Sequence, residues 1–220
     1  MRGRSFFTSG FYLQNTHWAY KVDTYLVISP LSDKQQLRLD ALTRRRELSN
    51  DLKQQYSRDI ERHLLSHLKT DAPENHHLLA YRSMPDEVDT HLIFATPPCR
   101  IYAPRMHGRN NMRWFAIDET TEWIKGSFGI EEPVSGPDWT HEESPAILLC
   151  PLVGFDRTGN RLGMGKGCFD RWLAEHQYRI TSIIGLAFSC QELAAIPSES
   201  HDIPLHIIIT EKEVISCQTR

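Results

Sequence analysis

Ala146-Ile-Leu-Leu-Cys-Pro-Leu-Val-Gly-Phe-Asp-Arg-Thr-Gly-Asn-Arg-Leu-Gly-Met-Gly-Lys-Gly-Cys-Phe-Asp170 joins three patterns in one segment. It opens on an apolar run, Ala146 to Leu152, that has a strand's length and none of the alternation of a half-exposed strand. A buried strand is expected there. It closes on a helix expected over Phe169 to His176. Between them Gly163, Gly165 and Gly167 alternate, and Arg161 and Lys166 flank them. Glycine lets a backbone approach a ligand closely and offer its N–H groups. A strand, a glycine loop and a helix N-terminus in that order make an anion site. Asp170, at the loop's end, is a candidate for holding a hard cation beside phosphate oxygens. The spacing is not that of the common nucleotide loops: Gly167 follows Lys166, so no GxxxxGK[ST] frame fits, and GxGxG is not GxGxxG. On spacing alone a second reading stays open, a glycine-rich hairpin with a solvated Arg and Lys.

Upstream, Ser32 with Gln35 three residues on has the form of a capping box. A helix is expected through Lys34, Leu37, Arg38, Leu42 and Arg45. The run Arg44-Arg45-Arg46 ends it, where solvated charges would complement the helix dipole. A second cap is expected at Ser49 or Asn50. Leu52, Tyr56, Ile60, Leu64 and Leu68 then recur at fours and define one apolar helical face. Beyond residue 77, strands are expected at Leu78 to Tyr81, Arg100 to Ala103 (ended by Pro104), Met112 to Ile117, Ile180 to Phe188 and Leu205 to Thr210. A helix is expected over Val88 to Phe94, and His76 and His77 read as surface or sheet-edge residues. Strands alternating with helices predict an α/β fold, a mostly parallel sheet with helices on both faces. Gly126 to Ser144, rich in Gly, Pro and Ser, reads as a long connection of the kind that often carries function.

The bulk composition excludes several classes. A chain of 220 residues suits one α/β domain with a terminal extension. Met1 to Pro30 is rich in aromatics and poor in acids, and lacks the apolar core of a secretory signal. It is expected to be a poorly ordered extension before a single domain over 31–220. The net charge of −3 gives no basic field for nucleic acid. Apolar runs such as Ala146 to Cys150 are too short to span a bilayer. Neither nucleic acid nor membrane is therefore an expected partner, and no feature specifies an oligomeric state. Five cysteines, an odd number without a CxxC pair, point to a reducing compartment, the cytoplasm, rather than to disulfides or zinc.

The block GFDxxGNRLGMGKGxxD, Gly154 to Asp170, resembles the signature of 5-formyltetrahydrofolate cyclo-ligases, also called methenyltetrahydrofolate synthetases. Lys34 to Ser49 resembles that family's N-terminal helix and Tyr81 to Thr90 its folate-side segment. Phe128 to Pro133 resembles its mid-chain motif, and Gln191 to Thr210, with His201-Asp202-Ile-Pro, its C-terminal end. The likeness spans nearly all of residues 33 to 212. It implies a three-layer fold of the type shared with ribose-5-phosphate isomerase and CoA-transferase relatives. It further implies that Lys34 and Arg38, one turn apart on a helix face, contact ATP phosphates. Arg161, Leu162, Gly163, Met164, Gly165, Lys166, Gly167, Cys168 and Phe169 would form the ATP loop, with Arg161 and Lys166 as catalytic cations. Met84 and Asp89 would touch folate together with Met164, Gly165, Lys166, Gly167 and Cys168. Asp170 and Asp202 would bind Mg²⁺.

Each assignment has a plainer reading. Met84 suits packing, Asp89 the first turn of a helix, Asp170 an N-cap. The resemblance also has a gap. Cys168-Phe169 stands where the family commonly has two aromatic residues with a Tyr hydroxyl. Cys168 is either inert packing or, should the cationic loop depress its pKa, reactive. The implied reaction takes 5-formyltetrahydrofolate and ATP, as co-substrate, to 5,10-methenyltetrahydrofolate, ADP and phosphate. Two alternatives stand beside it: a folate or nucleotide binder without turnover, and a sugar-phosphate isomerase or CoA-transferase-like enzyme, for which fold analogy alone is a weak warrant.

Overall fold

A computed structural model of the chain describes residues 33–72, 74–108, 111–126, 129–141, 144–199 and 201–217. The extension expected over Met1 to Pro30 and the cap at Ser32 lie outside the described residues. Helix α1 (Asp33–Glu47) is followed by α2 (Asn50–Asp71). Ser49 caps α2, its hydroxyl accepting from the Leu52 N–H at 3.3 Å, an interaction worth about 1 kcal/mol. The fours pattern of α2 buries Ile60, Leu64 and Leu68, each contributing roughly 1.5–3 kcal/mol through apolar burial. Leu52, at the start of the stripe, is exposed.

The strands are β1 (His77–Leu79), β2 (Ile101–His107), β3 (Asn111–Ala116), β6 (Ala146–Cys150), β9 (Ile180–Leu186), β10 (Ile207–Ile209) and β11 (Val214–Ser216). Among the described residues these seven form one sheet in the order β11-β10-β9-β6-β1-β2-β3. The five inner strands are parallel and the two edge strands antiparallel. Helix α3 is short (His91–Ala95) and α4 runs from Cys168 to His176. Alternation along β6 divides the core. Ile147 and Leu149 pack with Ile60, Leu64 and Leu68 of α2, whereas Leu148 and Cys150 pack with Trp172 and Leu173 of α4. Helices thus cover both faces, as the α/β reading expects. No described helix is long and apolar enough to cross a membrane.

Several expectations are corrected. β2 does not stop at Pro104 but runs on to His107. Arg100 and Tyr102 direct their carbonyls to Leu78 and Ala80 on the β1 side. Pro104, two residues on, faces the same way, past the last residue paired with β1. Its missing N–H therefore leaves no ladder bond unmade. The helix expected from Val88 begins only at His91; before it the Thr90 hydroxyl accepts from the Ser83 N–H and donates to the Tyr81 carbonyl, which holds the chain in a turn. The long connection holds β5 (Glu131–Pro133), which pairs with β4 (Trp123–Lys125), and a 3₁₀ turn at Trp139–His141. His77 is buried on an interior strand rather than at an edge, against Tyr102. Arg45 is buried as well, so the basic run at the end of α1 is not wholly solvated.

Candidate active site

The signature segment leaves β6 at the carboxyl end of the sheet, where open α/β sheets hold their ligands. It first makes a small hairpin, β7 (Gly154–Phe155) against β8 (Arg161–Leu162). Asp156 organises the turn between them. Its carboxylate accepts five hydrogen bonds: from Thr158 N, Thr158 Oγ1, Asn160 N, Asn160 Nδ2 and Ile196 N, at 2.7–3.1 Å. Burial opposes the charge, but those donors hold the carboxyl below its ordinary range. Gly159 has φ +93°, and a Cβ there would lie 2.4 Å from the Leu205 carbonyl. Gly154 lets α1 approach, since a Cβ would sit 3.3 Å from that of Ala41.

Past β8 the chain opens into the Gly163–Gly167 loop and enters α4. Gly165 and Gly167 take positive φ, which only glycine adopts without strain. Arg38 of α1 braces the loop, its Nε donating to the Gly163 carbonyl at 2.8 Å. Its guanidinium carbon lies 3.7 Å from where a Gly165 Cβ would be. Lys34, one turn earlier, places Nζ 2.7 Å from Glu199 Oε1 and 2.8 Å from Asp202 Oδ2. Burial opposes the Asp202 charge, yet Lys34 and the Glu199 N–H keep its pKa below the usual carboxylate range. Arg161 is nearly inaccessible and donates to the Ile203 carbonyl and to Asp170 Oδ1. The alternative of a glycine-rich hairpin with a solvated Arg161 is thus not what is found: the hairpin ends at Leu162, the glycine loop follows it, and the Arg161 side chain is covered.

These groups line one cavity of about 460 Å³. Lys34, Arg38, Arg161 and Lys166 lie on it, as do Asp170, Asp202 and the residues from Leu162 to Phe169. Its apolar part includes Met84, Pro104, Met106, Met112 and Ile130. Met164 reaches out from the glycine loop at 60% exposure. Phe169 also meets Trp114 edge-on, at 6.2 Å between ring centroids. Cys168 Sγ stands 3.8 Å from an Arg171 nitrogen. Asp89 is not among the lining residues; its carboxylate accepts from the His91 N–H at 2.8 Å and lies 2.8 Å from the His91 ring.

Sequence reasoning missed Glu87 and Arg82, both on the cavity wall. Glu87 is 9% exposed, its Oε2 accepts from the Met84 N–H at 3.0 Å, and burial raises its pKa. Arg82 lies between two rings, its guanidinium 4.8 Å from the centroid of Phe94 and 4.1 Å from that of Trp123. Burial lowers its pKa, and its Nε is 3.8 Å from Glu131. The signal available for Glu87 was an acid directly before the apolar Val88. A hydrogen-bonded carboxylate in an apolar chamber, next to a cationic glycine loop, suits a flat heterocycle at one end and a polyphosphate at the other.

Residues 30–211 match the profile of the 5-formyltetrahydrofolate cyclo-ligase family. The 5-formyltetrahydrofolate cyclo-ligase of Haemophilus influenzae is 29% identical over 182 residues, which cover 80% of this chain and 96% of that protein. The Mus musculus protein of the same name is 28% identical over 197 residues, 82% of this chain and 94% of its own. Among solved structures, the Aquifex aeolicus 5,10-methenyltetrahydrofolate synthetase superposes with a TM-score of 0.70 at 28% identity, covering 85% of this chain and 94% of that one.

Proposed function

The chain belongs to the 5-formyltetrahydrofolate cyclo-ligase family of enzymes, and from that premise we propose that it converts 5-formyltetrahydrofolate and ATP to 5,10-methenyltetrahydrofolate, ADP and phosphate in a Mg²⁺-dependent reaction. One observation carries the reading: an apolar chamber with a buried acid opens onto a cationic glycine loop within a single cavity. A cytoplasmic location belongs to the same reading, supported by five cysteines without a pairing pattern.

The formyl group is an N-acyl amide and a poor electrophile. In the proposed reaction its oxygen attacks the γ-phosphorus of ATP, the bond to the β,γ-bridging oxygen breaks, and ADP leaves. The neighbouring anilino nitrogen adds to the activated carbon and loses its proton. The carbon–oxygen bond then breaks, and phosphate departs with the former formyl oxygen. Both attacking atoms belong to the substrates, so the protein's task is positioning and charge neutralisation. Lys34, Arg38, Lys166 and the loop N–H groups suit the phosphates. Arg161 ties the loop to Asp170 and to the segment at Ile203. In this reading Glu87 accepts from the N–H edge of the pterin and Met84, Met106 and Met112 pack its faces, which their common lining of the cavity supports.

A magnesium ion takes one or two carboxylates together with phosphate oxygens. Asp170 and Asp202 fit that donor set, because both line the cavity beside the loop and each is already matched with a cation. When bound, the ion would offset the negative charge of the transferring phosphoryl group. Lys34 is then free to exchange its carboxylate partners for phosphate.

The test is absorbance at the methenyltetrahydrofolate band with 5-formyltetrahydrofolate, ATP and Mg²⁺. Turnover that requires all three is expected. ATP binding without any turnover would replace the enzyme with a binder.

A further inference from the structure

The cations on the cavity wall fall into two groups. Lys34, Arg38, Arg161 and Lys166 lie in the glycine loop or on elements bound beside it. Arg82 stands apart. Its guanidinium is 4.8 Å from the ring centroid of Phe94, in α3, and 4.1 Å from that of Trp123, in β4. Those two rings are nearly perpendicular, at 87°, with centroids 5.8 Å apart. The guanidinium therefore sits in the corner that they make, and its side chain also lines the cavity. Its Nε is buried and has no hydrogen-bond partner among the described residues. Glu131 Oε2 is 3.8 Å away, too far for a hydrogen bond, and the Glu131 side chain is 49% exposed. So loose a pair contributes little. Leaving a buried donor unmet costs free energy that a bound anion recovers. Burial opposes the charge of Arg82, but an arginine stays cationic at neutral pH.

The substrates of the proposed reaction bring two kinds of anion into this one cavity. The phosphates of ATP match the loop. The others are the carboxylates on the glutamyl tail of the reduced folate. Glu87 and Glu132, both buried on the wall, repel such a group, and the loop cations are committed to phosphate. Arg82 is the lining cation outside that set. We propose that Arg82 forms a second anion subsite of the cavity, which takes a carboxylate of the substrate's glutamyl tail on its planar fork of N–H donors. This rests on the functional reading above, and it gives Arg82 a part in substrate choice rather than in phosphoryl transfer. A guanidinium meets a carboxylate with two parallel hydrogen bonds. Its flat, weakly hydrated face packs on aromatic rings, as an ammonium does not. Phe94 and Trp123 are thus positioning residues that hold the fork in one orientation. Glu131, being exposed, can turn to solvent as the tail arrives.

The test is calorimetric binding, without ATP, of 5-formyltetrahydrofolate and of 5-formyltetrahydropteroate, which lacks the glutamate. The unaltered chain should bind the first roughly ten- to hundredfold more tightly than the second. Arg82→Met should erase that difference by weakening the first ligand alone, and should leave ATP affinity unchanged. Arg82→Lys should recover only part of the difference. Trp123→Leu, which keeps the charge and opens the corner, should also lose part of it. Arg82→Gln replaces Arg82→Met should the latter not fold. Equal affinity of the unaltered chain for both ligands would overturn the proposal. So would an equal weakening of both by Arg82→Met, which is what a purely structural Arg82 would give. Either result leaves the functional reading standing. An unaltered chain that binds neither ligand would instead sink the functional reading, and this subsite with it.

Discussion

Gly154–Asn160 and Arg161–Gly167 are adjacent, each seven residues long, and together make up most of the family signature. They do opposite things. In the first half the polar atoms turn inward: Asp156 gathers five donors, and Gly159 fits under the Leu205 carbonyl. In the second half, after Arg161, the backbone turns outward onto the cavity with Met164 exposed. A signature motif is thus part scaffold and part site. The scaffold half is recognisable because its hydrogen bonds tie it to itself and to Leu193, Ile196 and Leu205 behind it.

That contrast breaks most visibly at Asp156. Replacing it with Ala leaves several buried donors without an acceptor and should cost about 3–5 kcal/mol of stability, read by urea unfolding. The affinity of the folded fraction for ATP should stay close to that of the unaltered chain. Normal stability with lost ATP binding would move Asp156 into the site. Its pH dependence has a definite sign. The folded pKa lies below the free value of 3.8, so the contribution is complete above that value and is lost as pH falls through the folded pKa. Between pH 5 and 3, the unfolding free energy of Asp156→Asn should fall less steeply than that of the unaltered chain.

Lys166 gives the mirror-image result. Lys166→Ala should weaken ATP binding by about 1.5–3 kcal/mol, or roughly ten- to hundredfold, with little change in melting temperature. Calorimetry on ATP binding checks it, and affinity equal to that of the unaltered chain would remove Lys166 from the phosphate site. Arg161→Ala should show both effects, because Arg161 is buried at the junction of the two halves.

A smaller effect is expected at the loop's exit. Cys168→Tyr with Phe169→Tyr should lower KM for 5-formyltetrahydrofolate by about 1 kcal/mol, roughly fivefold, without moving KM for ATP. A worse folate KM would mean that the chamber is shaped around the small Cys168 and the ring of Phe169 against Trp114. The smallest effect is expected outside both halves. A chain starting near Leu31 should match the full chain in melting temperature and turnover, and a large loss in either would make the aromatics before Pro30 part of the domain.

Much of this was legible in the chain. β6 was, because Ala146 to Cys150 is apolar throughout and both faces of the sheet are covered. α2 was, because its stripe holds the helical period. Of the loop glycines, Gly165 and Gly167 were legible as positions that require glycine, and both take positive φ. What escaped depends on long-range contacts. Asp86, Glu87 and Asp89 are three acids in four positions, and only the turn that ties Met84 to Glu87 decides which one faces the cavity. Arg45 sits in a run whose sequence says surface, yet the helix rotates it inward. β4 and β5 are three residues each, too short for alternation to register.

The chamber owes its existence to unequal strands. β1 ends at Leu79 while β2 continues to His107, so beyond Tyr102 the β1 side of β2 has no strand partner, and the Met106 N–H donates instead to Glu132 Oε2 at 3.3 Å. Pro104 and Met106 lie along that side and line the cavity. Where a longer β1 would have continued the hydrogen-bonding ladder, Pro104 offers no N–H and the Met106 N–H is taken by Glu132. The hollow is a slot left in the weave of the sheet, and its depth is set by where β1 stops. Lengthening β1 past Leu79 would therefore narrow that slot.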